Sequence, residues 1–304
     1  MSMQKITLQI LRQQDDVCSS FVLGLLENNA RFQKLSRSEG EDIVTRDNED
    51  AEKLSDGIRI AIRKGILSGQ PDVSPVTKVN VVGLSAQEVT DKIVAVLPSK
   101  SGNVIILQGL SGTGKGTTVS KLKAVLPKCV TWSNGNIFRS YTYLCNEVLS
   151  AQGKEIEEGS LTDDLLASVA KRVTFVKCED GMFQPMLDGT TRVVDVQNTL
   201  LKTPLISSKV PTVAQQTQGE VIRFAASAVK KLSSEGYNVI LEGRSQTLDY
   251  ISTPLRFELV IPDVSVLGQR RAAQRVMAKA LEIIGDGTSD DEVNSALHKA
   301  LEAL

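Results

Sequence analysis

An apolar, β-branched run, Asn103-Val-Ile-Ile-Leu107, leads almost directly into Gly109-Leu-Ser-Gly-Thr-Gly-Lys-Gly-Thr-Thr118. The run shows no alternation, which is the pattern of a central parallel strand buried on both faces. Such a strand needs helices above and below it, so the passage commits the chain to an α/β architecture. The glycines that follow permit backbone angles that turn successive N–H groups inward. Together with the N-terminus of the next helix, these groups form a cradle for an anion. Lys115 is spaced to reach the β and γ phosphates of a nucleotide. Gly109, Ser111, Gly112, Thr113, Gly114, Gly116, Thr117 and Thr118 are the expected loop contacts. The full G-x-x-x-x-G-K spacing, set between strand and helix, separates this from an ordinary glycine-rich turn.

The pattern continues downstream. Asn238-Val-Ile-Leu241 and Arg256-Phe-Glu-Leu-Val-Ile261 read as further buried strands. Helices are expected at about 114–125, 136–150, 216–234, 264–284 and 290–304. Strands alternating with helices predict a parallel sheet covered on both sides. One segment departs from this. Arg172–Lys177, Met182–Met186 and Arg192–Val196 are short β-rich runs separated by Glu179-Asp-Gly181 and Leu187-Asp-Gly189. Asp-Gly between such runs is a hairpin signal, so a small antiparallel meander is expected within about 165–203.

Residues 1–100 carry no comparable motif. Lys5–Leu11 reads as a strand, Asp15–Asn29 as a helix, Ser36–Asp56 as an exposed and mobile charged stretch, and 50–66 as a helix of imperfect spacing. Thr77–Val82 reads as a strand. Ser85 and Glu88 form a capping box that opens a helix with Val89, Ile93, Val94 and Leu97 on one face. Pro98-Ser-Lys-Ser-Gly102 reads as a linker. The expectation is a separately packed α/β appendage over 1–100, able to offer a surface to a protein partner, joined to a nucleotide-binding domain over 103–304.

From the loop onward the chain resembles the cytidylate kinase family over about 103–280, on motifs in the family's order. The loop is followed by Ser133-Asn-Gly-Asn-Ile-Phe-Arg139, similar to D-S/T-G-x-x-Y-R. Then come the meander, Leu201-Lys-Thr203 near the family's I-R-T, a long helix carrying Arg223, Leu241-Glu-Gly-Arg-Ser245 similar to E/D-G-R-D, and Gln269-Arg-Arg271. The resemblance implies a phosphate-loop kinase core whose meander binds a nucleoside monophosphate. It implies ATP-dependent phosphoryl transfer to CMP, dCMP or UMP. By resemblance, Arg139, Arg223 and Arg244 converge on the acceptor phosphate, Arg271 adds catalytic charge, and Asn134, Phe138 and Ser245 face the acceptor. The G-K-G-T form of the loop is typical of such kinases and implies that Mg²⁺ is held by phosphates, waters and Thr117, with Glu242 orienting a metal-bound water. The chemistry is coherent, because phosphoryl transfer depends on positioning and charge neutralisation, and arginine binds phosphate oxygens bidentately.

The chain also departs from the family pattern. Asn134, Phe138 and Ser245 stand where the family has Ser or Thr, Tyr and Asp, which alters the hydrogen-bond code for the acceptor base. No arginine occurs after Arg275, although the family carries an arginine-rich lid there. The passage Gly285-Asp-Gly-Thr-Ser-Asp-Asp291 leads instead into an amphipathic helix with Val293, Leu297, Ala300, Leu301 and Leu304 on its apolar side. Losing such a charge clamp costs about 3–4 kcal/mol of transition-state stabilisation per group, unless Arg270, Arg271 and Arg275 compensate. A nucleotide-binding regulatory or scaffold protein is the second expectation.

The 304 residues carry a net charge of −1, so no global field draws the chain to nucleic acid or an anionic membrane. No apolar run reaches transmembrane length, and Met1–Leu11 lacks a signal-peptide pattern, so a cytoplasmic location is expected. Cys18, Cys129, Cys145 and Cys178 are scattered and read as reduced thiols. His298 reads as a surface or packing residue, and Asp290-Asp-Glu292 as charge favoured at a helix N-terminus. No N-K-x-D or D-x-x-G signature supports a GTPase.

Overall fold

The computed structural model describes residues 6–13, 16–285 and 289–304. Lys5, where the first expected strand began, Asp15, where the first expected helix began, and Asp286, Gly287 and Thr288 of the passage before the last helix lie outside these residues. So does the side chain of Asp291. The order of elements is α1 (Leu8–Gln13), α2 (Asp16–Leu26), α3 (Ala30–Arg63), β1 (Thr77–Asn80), α4 (Ala86–Val94), β2 (Val104–Gln108), α5 (Lys115–Val125), β3 (Cys129–Trp132), α6 (Asn134–Ala151), α7 (Asp163–Arg172), β4 (Val173–Lys177), β5 (Phe183–Leu187), β6 (Thr191–Arg192), α8 (Val193–Val196), α9 (Pro204–Ser234), β7 (Asn238–Gly243), α10 (Ser245–Leu248), β8 (Arg256–Val260), α11 (Val264–Ile283) and α12 (Asp290–Ala303).

Five strands form one parallel sheet in the order β1-β8-β2-β7-β3. The non-alternating apolar pattern of β2 and β7 is explained by where their side chains go. Ile106, Val239 and Leu241 enter a core shared with Tyr141 and Leu144 of α6 and Val221 and Ala225 of α9. Ile105, Leu107 and Ile240 point the other way and pack with Val89 and Ile93 of α4 and Val119 and Leu122 of α5. Successive residues of one strand therefore meet two different apolar layers. A third cluster joins Leu11, Val22, Leu26 and Phe32 to Ala272, Val276 and Leu297, tying α1, α2 and the start of α3 to α11 and α12.

The N-terminal hundred residues do not stand apart. Thr77 to Asn80 pair with Phe257 to Val260, so β1 is an edge strand of the main sheet. The charged stretch 36–56 lies inside α3, a helix of 34 residues, with Ser36, Glu39, Gly40, Ile43 and Asp47 buried. At 1.5 Å per residue α3 is about 50 Å long. Asn29 caps it by accepting from the Arg31 and Phe32 amides. It packs against both α11 and α9, and it does so through glycines. Gly40 meets Gly268, Gly57 meets Gln218, and Gly219 meets Ala61. An apolar stripe is not needed where backbones approach this closely, so the helix leaves a weak periodic signal. The described part of the expected strand Lys5–Leu11 is also corrected, because Leu8–Gln13 is helical. The Ser85–Glu88 capping box is present as expected.

The meander is a separate antiparallel sheet, β4-β5-β6. Asp188 and Gly189 both have positive φ, 50° and 69°, as the two central residues of a type I′ turn demand, and the Thr190 amide closes that turn on Leu187 O at 3.1 Å. Arg172 brackets that turn with ion pairs to Asp188 and Glu147. The expected third strand is cut short. Only Thr191 and Arg192 pair, and Val193–Val196 forms α8. The sheet joins the main core through Trp132, whose ring centroid lies 5.7 Å from that of Phe175. None of the helices among the described residues is long and apolar enough to cross a membrane.

Candidate functional site

The glycine-rich loop leaves β2 at Gln108 and enters α5 at Lys115. Gly109 is required by space, because a Cβ there would run into the Leu259 carbonyl oxygen of the neighbouring strand. Gly112 and Gly114 have φ of 85° and 87°, the left-handed region that glycine enters at little cost. Gly114 caps α5 without a side-chain hydrogen bond. The first amides of α5 are therefore left for a ligand or water to satisfy. Thr113 and Thr118 are buried and donate to Leu110 O (2.9 Å) and Gly114 O (3.0 Å), bracing the turn from within.

The Lys115 ammonium folds over its own loop, donating to Gly109 O at 2.8 Å and Leu110 O at 2.9 Å. Burial pushes its pKa below the usual lysine value, and the Arg244 charge adds to that, while Glu242 and Asp47 oppose it. A cation so placed is short of counter-charge, which a polyphosphate would supply. A cavity of about 710 Å³ opens over this turn, lined by residues 112–118, Glu242 and Arg270. Its opposite wall comes from residues of the N-terminal hundred, Leu23 of α2 and Val81, Gly83, Ser85 and Val89 around the start of α4. The expectation of a separately packed appendage over 1–100 is corrected by that wall and by the pairing of β1 with β8.

Glu242 and Thr117 are both exposed and face the same cavity. Among the described residues, no group of three or more His, Cys, Asp or Glu side chains could hold a metal. A carboxylate and a hydroxyl beside such a glycine turn still fit Mg²⁺, which keeps most of its waters and would take phosphate oxygens as further ligands.

The expected arginines have different surroundings. Arg244, at the end of β7, donates to Gly109 O at 3.2 Å and forms an ion pair with Asp47 of α3. Asp47 also accepts from the amide and the hydroxyl of Ser111, both at 2.9 Å. Burial raises the Asp47 pKa, but the Ser111 and Arg244 contacts outweigh it and hold the carboxyl below its usual value. Arg271 lies 3.9 Å from Glu39 of α3, a carboxylate that also pairs with Arg275. Arg139 donates to Asn136 Oδ1 at 3.2 Å, and Asn136 in turn donates to Gln197 Oε1 at 2.6 Å. Arg223 is exposed on α9 near Glu220. Arg139 and Arg223 are not among the residues lining the 710 Å³ cavity. Lys115, Thr117, Glu242 and Arg270 thus share one cavity, with Arg244 bonded to the loop at Gly109, while Arg139 and Arg223 sit in other settings.

The expected acceptor residues have local partners of their own. Asn134 accepts from the Trp132 indole at 2.8 Å, Phe138 packs on the core, and Ser245 opens α10. Beside Asn134 and Phe138 lies a second cavity of about 660 Å³, lined by Trp132, Ser133, Asn136, Phe175, Phe183, Gln184 and Gln197, whereas Ser245 lines a separate hollow with Gly109 and Arg244. Aromatic faces with a few amides suit a planar polar ring. Gln184 and Gln197 carried no motif in the sequence, and Asp47 and Glu39 were hidden in a charged run. The aromatic residues of the meander were the one available signal. In comparisons with known proteins, no family model and no curated protein matches this chain.

Proposed function

We propose that the chain is an ATP-dependent kinase of nucleoside monophosphates, acting on a pyrimidine nucleotide from a phosphate-loop core with a monophosphate-binding meander. The observation that carries this reading is the left-handed glycine turn, with uncapped helix amides and a desolvated lysine, facing a nucleotide-sized cavity. The amides and Lys115 would bind the donor phosphates, and Arg270 would add charge at the mouth. Arg244, with Arg139, Arg223 and Arg271 as further candidates, would neutralise the acceptor phosphate. The aromatic cavity beside Asn134 and Phe138 would take the base. Thr117 and Glu242 would hold Mg²⁺ through its ligands and waters, and the metal would neutralise charge on the transferred group.

A second reading has its own observation. Arg244 and Arg271 are engaged by carboxylates of α3, and no arginine follows Arg275. A protein that binds nucleotide for regulation, with residues 1–100 meeting a partner, would look the same at the loop. Calorimetric titration with Mg-ATP of the wild type and Lys115→Ala tests the shared premise. Binding that is lost in the variant supports the cradle, and equal affinity in both refutes it.

A further inference from the structure

We infer that Asp47 is a positioning residue that couples the phosphate loop to Arg244, so that α3 sets the geometry between donor and acceptor phosphates. The inference rests on the kinase reading above and extends it to a residue outside the motif-bearing part of the chain. Asp47 sits in the middle of α3, with its side chain 6% exposed. Both of its oxygens are used. Oδ2 accepts from the Ser111 amide, and Oδ1 accepts from the Ser111 hydroxyl and from Arg244.

The division of labour follows from donor counting. A guanidinium has five N–H donors. Arg244 directs one at Gly109 O and one at Asp47, which leaves donors for a phosphate on its other edge. Asp47 therefore orients Arg244 without consuming it. The same carboxylate fixes the outer limb of the loop at Ser111, and Gly109 O joins the loop to Arg244 a second time. Loop, carboxylate and arginine form a closed ring of hydrogen bonds. Glu39, about two turns earlier on α3, pairs with Arg271 and Arg275 of α11, which seats the helix beside the ring.

The test uses the full chain with Asp47→Asn, Asp47→Ala, Arg244→Ala and the Asp47→Asn/Arg244→Ala double variant. Asp47→Asn keeps the shape, and its one carbonyl oxygen can still accept from the Ser111 amide, but its NH2 then faces Arg244 and removes the charge-assisted bond. At saturating ATP it should raise the acceptor KM about ten-fold with a much smaller change in ATP affinity. The double variant should be no worse than Arg244→Ala alone. Asp47→Ala frees Ser111 as well, so amide exchange in the peptide covering 109–116 should speed up and ATP affinity should fall. Unchanged loop exchange in Asp47→Ala overturns the inference, as do additive effects in the double variant. A uniform drop in kcat with both KM values unchanged also overturns it, since that reports only a smaller folded fraction. If the wild type turns over no nucleoside monophosphate, the kinase reading fails by itself. Loop exchange and ATP titration of Asp47→Ala then still decide whether Asp47 positions the loop.

Discussion

Replacing Gly268 by alanine should loosen the whole N-terminal helix from the nucleotide site. Gly268 lies on α11 where α3 crosses it, and an added Cβ would overlap the Ser36 carbonyl oxygen and come within 3.0 Å of the Gly40 amide. These are backbone atoms of a packed helix, so no side-chain rotation relieves the clash and α3 must move. Overpacking of this kind costs roughly 1–3 kcal/mol. Alanine also gains about 0.5–1 kcal/mol over glycine inside a helix, so a net loss of roughly 0–2.5 kcal/mol, centred near 1, is expected. Gly219→Ala should behave alike, because its Cβ would come within 2.7 Å of Ala61 Cβ and 2.8 Å of Ile66 Cγ2. Gly24→Ala is the control. It lies in α2 with nothing near its Cβ, so only the gain of about 0.5–1 kcal/mol applies. Urea unfolding with unchanged m-values measures all three. Because α3 carries Asp47, ATP affinity should also fall in Gly268→Ala and stay unchanged in Gly24→Ala. A Gly268→Ala variant that gains stability as Gly24→Ala does would refute the close approach of α3 and α11.

A fragment starting at Ser101 should lose ATP binding, since it lacks β1, Asp47 and the far wall of the cavity; a folded fragment with full affinity would contradict the fold's role in the site. The lowered pKa of Lys115 means its charge is lost as pH rises through a value below the ordinary lysine range of about 10.4. ATP affinity should decline on that alkaline limb, as read by titration across pH, and the decline should be absent in Lys115→Ala. Asp47 has the opposite sign. Its carboxyl is held below the ordinary value, so its stabilisation is present above about pH 4 and fades as pH falls through the folded-state pKa. Asp47→Asn should show a flatter acid limb in thermal unfolding.

The buried strands β2, β7 and β8 and the glycine turn were legible because each rests on a local rule, namely apolar continuity in a two-sided sheet and glycine where φ is positive. The meander was legible from its Asp-Gly turns, except that Val193–Val196 turned helical after a two-residue strand. β3 was missed. Cys129–Trp132 is an edge strand, half-buried and with little apolar pattern. The expected helix at 50–66 is the C-terminal part of α3, but residues 36–49 of that helix were misread for a related reason. Its contacts are made by Gly40 and Gly57 and by the buried carboxylates Glu39 and Asp47, residue types that read as solvent-facing until their partners are known. Those partners lie far along the chain, at Ser111, Arg244, Arg271 and Arg275. The placement of β1 beside β8 was illegible for the same reason, because nothing local to Thr77–Asn80 says which strand it will pair with.

A coupled assay of ADP formation tests the proposed phosphoryl transfer to a nucleoside monophosphate. Full-length protein would be given Mg-ATP and, in turn, CMP, dCMP, UMP, AMP and GMP. Acceptor-dependent ADP formation is expected with a pyrimidine monophosphate, abolished in Lys115→Ala. ATP binding without acceptor-dependent ADP formation from any of the five would contradict it and leave the regulatory reading in its place.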